Sequence, residues 1–178
     1  MKIKISNNNL DIGIKGQINP PSNRGDAGYD LVAQSHPKVV GDIYQGYLFK
    51  SIEYIEYETN ISLQPNQDEF GDYEFFSLLF PRSSISNYNL SLCNSVGIVD
   101  SGYRNTIKIR FNYIPQPENY TILNSKYLLL AIDKSKVYSK GDKIAQLVFA
   151  EHIHPKMNFV ENLDGSQRDK GGFGSTGI

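Results

Sequence analysis

Arg82-Ser83-Ser84, directly after Pro81, sets a guanidinium beside two hydroxyls and their backbone amides. That set suits phosphate oxygens, because arginine binds them in two-pronged fashion and the amides add directed donors. The same residues also suit a proline-initiated turn with serines capping a short helix. Asp100 stands where the apolar run Gly97-Ile98-Val99 ends. A carboxylate at such an exit can hold a water and take its proton, or it can be an ordinary turn aspartate beside Ser101-Gly102. Tyr103 can pack beneath a sugar or cover a hairpin. The chain ends Gly171-Gly172-Phe173-Gly174-Ser175-Thr176-Gly177-Ile178. Four glycines in eight residues cost too much entropy to order alone. They form either a frayed terminus or an arm that orders over a ligand, with its amides as an anion-binding concavity and Phe173 stacked on a base.

Other reactive side chains lead less far. His152 and His154 alternate with metal-like spacing, but no third ligand lies nearby and Pro155 closes the segment. His36 has no companion. Cys93 follows Leu92 and reads as a small buried hydrophobe with no histidine partner. As the sole cysteine, it excludes a disulfide framework, a cysteine zinc site and a CxxC redox motif.

Those residues must be held by short strands. Lys2-Ile3-Lys4-Ile5 alternates, and Ile12 and Ile14 continue the period. Phe75 to Phe80 is a short apolar run ending at Pro81. Val96 to Val99 and Ile107 to Phe111 flank a polar tip, which predicts a β-hairpin. Ile144 to Ala150 is a further strand, and Thr59, Ile61 and Leu63 alternate before Pro65. Tyr47 to Gln64 and Glu118 to Lys140 lack Gly and Pro and could each hold a helical turn or two. Tyr127 to Ile132 is too short to separate strand from helix by periodicity. Ser83 to Tyr88 predicts one short helix.

Composition agrees. There are 12 Tyr, 9 Phe and 19 Ile but only 5 Ala, which favours strands over helices. At 178 residues the chain fits one domain that needs no staple to fold. Eighteen basic residues against 19 acidic ones leave a net charge of −1, which excludes bulk electrostatic attraction to nucleic acid or anionic membrane. No stretch approaches the roughly 20 apolar residues of a membrane helix, and Met1 to Leu10 lacks the apolar core of a signal peptide. A soluble, intracellular and cytoplasmic protein is expected. Arginine is scarce at five residues, of which Arg82, Arg104 and Arg168 sit among the segments singled out here.

Order along the chain adds what single motifs do not. Ala27-Gly28-Tyr29-Asp30-Leu31 is followed by Pro81-Arg82-Ser83-Ser84 and then by Asn94 to Arg104. Next come Gly141-Asp142-Lys143-Ile144-Ala145-Gln146-Leu147 and Arg168 to Gly177. This series resembles the trimeric dUTP pyrophosphatases (dUTPases), with all five family motifs present in order. The resemblance implies an all-β, jelly-roll-like barrel with few short helices, forming a homotrimer with active sites shared between subunits. It places the barrel at residues 1–165, with insertions near 35–50 and 114–134, and a Gly-rich arm at 166–178 closing over an active site.

The implied reaction is Mg²⁺-assisted hydrolysis of dUTP to dUMP and pyrophosphate, which limits uracil in DNA and supplies dUMP for dTMP synthesis. By the same resemblance, Asp100 is the base that activates water at the α-phosphorus, and Asp30 reaches the metal through water. Arg82, Ser83, Ser84 and Gln146 hold the phosphates. Gly97, Ile98 and Val99, with the backbone near Lys108, read the uracil edge, and Asn94 adds a side-chain contact. Tyr103 packs under the sugar. Arg168, Phe173, Gly174, Ser175 and Thr176 close over the nucleotide. Asn105 and Asp169 stand where the family usually has glycine; asparagine tolerates positive φ, which would keep the turn. A dCTP deaminase shares the fold and the Arg-Ser-Ser motif but needs a glutamate on the strand Ile107 to Phe111, where there is none. A non-catalytic or regulatory protein on the same barrel is the other alternative.

Overall fold

The computed structural model describes residues 3–7, 18–65, 74–123, 125–153 and 155–166. Thirteen strands are described: β1 Ile3–Asn7, β2 Ile18–Asn19, β3 Tyr29–Val32, β4 Lys38–Gln45, β5 Leu48–Glu58, β6 Ile61–Pro65 and β7 Glu74–Pro81, then β8 Leu90–Leu92, β9 Gly97–Val99, β10 Lys108–Tyr113, β11 Tyr120–Leu123, β12 Tyr127–Ala131 and β13 Lys143–His152. Short 3₁₀ turns at Ser83–Asn87, Pro117–Asn119 and Lys134–Lys136 are the helical elements among the described residues. The all-β expectation therefore holds. The first stretch free of Gly and Pro holds β5 and most of β6; the second holds β11 and β12, where Tyr127 to Ala131 is β12, with 3₁₀ turns at 117–119 and 134–136 and irregular chain at 137–140.

Two sheets enclose the core. One runs β2-β3-β13-β7-β9. The other runs β11-β12-β5-β10-β8, with β4 along the opposite edge of β5. β1 pairs with β6 in a separate ribbon. β10 shows why these segments are strands: Ile109, Phe111 and Tyr113 are buried while Lys108, Arg110 and Asn112 between them are exposed. That period of two is what a half-buried sheet demands. Leu31, Leu79, Ile144 and Leu147 from one sheet meet Ile55, Ile109 and Phe111 from the other in a single core cluster. Tyr57 packs edge-on to Phe111, and Tyr138 packs against both.

One ion network crosses the second sheet. Glu56 is 5% exposed. Arg110 grips one of its oxygens through Nε and a terminal nitrogen, each at 2.8 Å. Lys108 lies 3.7 Å from Glu56 and 2.7 Å from Glu58. Buried charge of this kind is tolerated only when paired.

The expected hairpin of Val96 to Val99 with Ile107 to Phe111 is not formed. β9 pairs with β7 in the first sheet, and β10 pairs with β5 and β8 in the second. Both runs are strands, but each finds its apolar partner in a different layer. Pattern along a chain reports strand character and not partner choice. Cys93 is also corrected, since it is exposed and its Sγ lies 3.3 Å from Asn112 Oδ1. Local desolvation pushes its thiol pKa up, against a smaller opposing pull from Arg110.

Candidate active site

The parting of β9 and β10 creates the first half of the site. Where the two strands diverge, a pocket of about 170 Å³ opens between them. Asn94, Gly97, Ile98, Val99, Asp100, Tyr103 and Lys108 all line it. Sequence reasoning had singled out each of these. Gly97 is buried, and a Cβ there would lie 3.1 Å from both Asn94 Nδ2 and Leu79 Cβ. The glycine thus lets Asn94 lie against the strand.

Local bonds fix the lip of this pocket. Tyr103 N donates to Asp100 O at 3.0 Å, and Tyr103 Oη donates to Thr106 O at 3.2 Å. Arg104 donates to Ser101 O at 2.6 Å, which ties the turn from inside. The asparagine in place of glycine works differently from expectation. Among the described residues the non-glycine positions with positive φ are Asn60 and Ser125. Asn105 instead accepts from Thr106 N through its own side chain at 2.8 Å, a local bond to the very next residue. Lys108 is held by Glu58 and Glu56, and the Glu58 hydrogen bond, followed by the two carboxylate charges, keeps its pKa raised.

The second half gathers on β3, β13 and the end of β7. β13 pairs with β3 so that Gln146 lies opposite Asp30, and with β7 so that Ala145 lies opposite Pro81. Asp30 thereby faces two cations: Arg82 Nε at 2.8 Å and Lys143 Nζ at 2.9 Å, one on each carboxylate oxygen. Lys143 was not singled out as a site residue, although it lies inside the fourth motif. Gln146 donates from Nε2 to Pro81 O at 3.4 Å. Its Oε1 sits where a Cβ on Gly28 would be, at 2.3 Å. Gly28 thus serves space, not backbone conformation, a role invisible along the sequence. Gly141 does use glycine's freedom, with φ of +95°, and its N–H bonds Ala33 O.

Arg82 precedes the 3₁₀ turn Ser83–Asn87 in extended conformation, and among the described residues no side-chain bond caps that turn. The capping role open to Ser83 and Ser84 in the sequence is therefore not taken up. The turn is anchored where Tyr88 packs at a tilt against Tyr138 with centroids 4.1 Å apart. Arg168, Phe173, Gly174, Ser175 and Thr176 lie outside the described residues, as does His154. The described chain thus brings the predicted residues into two groups. Asp30, Arg82, Ser83, Ser84 and Gln146 do not line the Asp100 pocket.

Comparison with known proteins bears on both groups. The dUTPase family model matches residues 126–177. A deoxyuridine 5′-triphosphate nucleotidohydrolase of Thermoanaerobacter sp. is 29% identical over 180 aligned residues, covering all of this chain and 97% of that one. Another, from Caldanaerobacter subterraneus subsp. tengcongensis, is 31% identical with the same coverage. The chain belongs to the dUTPase family. Its fold matches the dUTPase of Staphylococcus bacteriophage 80alpha with dUPNHPP at a TM-score of 0.67, with 20% identity and 99% of each chain covered. A mutant dUTPase from phage phi11 of S. aureus, described for its structural Mg(II) ion, matches at 0.60 with 17% identity, covering 91% of this chain and 98% of that one. Among the described residues, no helix of this family member is long and apolar enough to cross a membrane.

Proposed function

We propose that this chain hydrolyses dUTP to dUMP and pyrophosphate. The observation that carries the proposal is the pocket between the parted strands, with Asp100 at its lip, in a member of the dUTPase family. The pocket is small and is lined by Gly97 to Asp100, whose backbone would meet one pyrimidine edge. A site that pairs buried donors and acceptors with one base rejects others strongly, since a wrong base leaves them unpaired. Asn94 adds an amide beside Gly97. Tyr103 at the lip packs under the sugar and leaves no room for a 2′-hydroxyl.

Asp100 is exposed and carboxylate-bearing at that lip. In the proposed reaction it holds a water in line with the α-phosphorus and takes its proton as the new P–O bond forms and pyrophosphate leaves. Arg82, Ser83, Ser84 and Gln146 supply donors to the phosphate chain, and Asp30 keeps Arg82 extended toward it. Arg168, Phe173, Gly174, Ser175 and Thr176 form the closing arm.

Mg²⁺ fits this arrangement only in one way. No group of three metal-ligating side chains converges among the described residues. Both Asp30 oxygens already carry a cation, so a second one in direct contact would be repelled, whereas a bridging water can use their remaining lone pairs. Asp30 would hold the ion through water, and the ion, when bound, would offset charge on the phosphates.

The two residue groups support a site completed between copies of the chain in a homotrimer. So does the run after β13: Ile153, Met157, Phe159 and Leu163 are 78–96% exposed, an apolar face that a neighbouring copy would cover. The test is pyrophosphate release from dUTP by the purified chain with Mg²⁺, beside dTTP, dCTP and UTP. Release from dUTP and little from the others is expected. Equal rates on all four, or ammonia release from dCTP, would replace this reading.

A further inference from the structure

The two segments expected as insertions, 35–50 and 114–134, meet in space. β12 pairs with the start of β5, and Tyr44 packs on Tyr127 with ring centroids 5.6 Å apart. Residues of both segments, Val39, Tyr47, Ala131 and Lys134 among them, line a cleft of about 450 Å³, separate in its lining from the Asp100 pocket. That volume is in the range of small-molecule sites, roughly 300–1,000 Å³. Its floor is apolar and firmly packed, since Phe49, Ile55 and Val137 are each buried. Its mouth is different. Tyr47 is 78% exposed, and Lys134 Nζ sits 4.6 Å from its ring centroid.

The charge pattern selects the ligand. Among the described residues, no acidic side chain lines the cleft, and Lys134 supplies its one fixed positive charge. The apolar floor favours a flat hydrocarbon or heteroaromatic body, and the Tyr47 ring offers a face to stack on. An anionic group on that body would meet Lys134 at the rim, where it keeps part of its hydration.

The cleft also touches the phosphate side of the proposed active site. Tyr138 forms part of its wall and is 1% exposed. The far end of the same side chain lies beside Ser84 and Arg82, and among the described residues its hydroxyl closes no hydrogen bond of good geometry. Its ring packs at a tilt against Tyr88, at the end of the turn that carries Ser83 and Ser84. A rigid buried ring with one face on the cleft and its polar end at Ser84 cannot shift on one side alone. We propose that this cleft binds a small aromatic anion and that Tyr138 transmits its occupancy to the Arg82–Ser84 turn. The transmission half rests on the dUTP reading, and the binding half does not.

The probe is anilinonaphthalene sulfonate, an aromatic monoanion, titrated by fluorescence against the full chain. One saturable site per chain is expected, and its affinity should fall about tenfold in Lys134→Gln and in Tyr47→Ala. Both residues are exposed, so both variants should fold. Affinity unchanged in both variants, or complete and strictly competitive displacement of the probe by dUTP (which partial, saturating coupling is not), would overturn the site. With the cleft saturated, KM for dUTP should move at least threefold in the parent chain and stay constant in Tyr138→Phe, which keeps the ring and removes the hydroxyl beside Ser84. A KM that does not move in the parent chain, or that moves equally in Tyr138→Phe, would overturn the transmission. A chain that failed to turn over dUTP at all would refute the proposed reaction and leave the fluorescence result readable.

Discussion

Gly28→Ala tests how the phosphate side of the site is built. The added Cβ would stand 2.3 Å from Gln146 Oε1, 3.0 Å from its Cδ and 3.3 Å from its Cβ, where ordinary contact begins near 3.4 Å. The amide must therefore retreat by roughly 1 Å. Its Nε2 is already 3.4 Å from Pro81 O, so that hydrogen bond breaks. Loss of one such bond costs about 1 kcal/mol, and a strained side-chain rotamer adds a comparable amount. Together they destabilise the fold by about 1–2 kcal/mol, a fall in Tm of about 3–6 °C for a chain of this size. Since Gln146 is also proposed to face the phosphates, kcat/KM should fall about tenfold, corresponding to roughly 1.4 kcal/mol. Calorimetry and steady-state kinetics on four proteins decide the matter: the parent, Gly28→Ala, Gln146→Ala and the double variant. If the clash is the cause, Gly28→Ala should cost little once Gln146 is already alanine. An equal thermal penalty in both backgrounds would refute the reasoning and place the need for glycine in the backbone.

Other outcomes follow from the same geometry. Asp100→Asn should cut kcat by about 10²–10⁴, the span of general-base catalysis, while equilibrium binding of a non-hydrolysable dUTP analogue stays near the parent value; retained turnover would remove Asp100 from its role. Glu56→Gln should lower stability by about 2 kcal/mol in thermal melts, less than for a wholly buried pair because Arg110 and Lys108 can turn to water. Burial alone would raise the Glu56 pKa, but the Arg110 hydrogen bond and the charges of Lys108, Arg110 and Lys38 outweigh it and hold the carboxyl low. Its contribution is therefore complete above the unfolded carboxylate pKa of about 4.3 and is lost as pH falls through the lower folded value. Melts between pH 5 and 2 should show a shallower acid decline in Glu56→Gln. Truncation before Gly171 should abolish most turnover and leave Tm nearly unchanged, and a large drop in Tm would make that segment structural. Light scattering should give three times the 20.1 kDa chain mass.

Much of this was legible along the chain because it depends on local pattern. Alternation marked β10, and Pro81 marked the end of β7. Scarce alanine and abundant isoleucine and aromatics gave the all-β class without reference to any partner. Asn94, Gly97 to Asp100, Tyr103 and Lys108 were nominated as one group, and they line one pocket. Other features were not legible. The strands flanking the polar tip could have paired with each other by pattern alone, and only packing against β7 and β8 sent them into separate sheets. Cys93 next to Leu92 read as buried, yet it falls just after β8, where the chain turns outward. Asn105 satisfies its turn through a side-chain bond and not through positive φ, two solutions that one residue type permits equally.

The sequence by itself determined the strand content, the absence of a disulfide framework and the order of five motifs, because each is carried by residue type and spacing. Tertiary structure alone decided what those residues face. Asp30 comes to lie between Arg82 and Lys143, more than 50 and 110 positions away, because β13 takes its place between β3 and β7. Gly28 is required by Gln146, and neither residue hints at the other in sequence. The two unexplained segments close on a single cleft because both add to the edges of β5. Contacts of that kind belong to strand register and sheet order, which a one-dimensional pattern constrains only weakly.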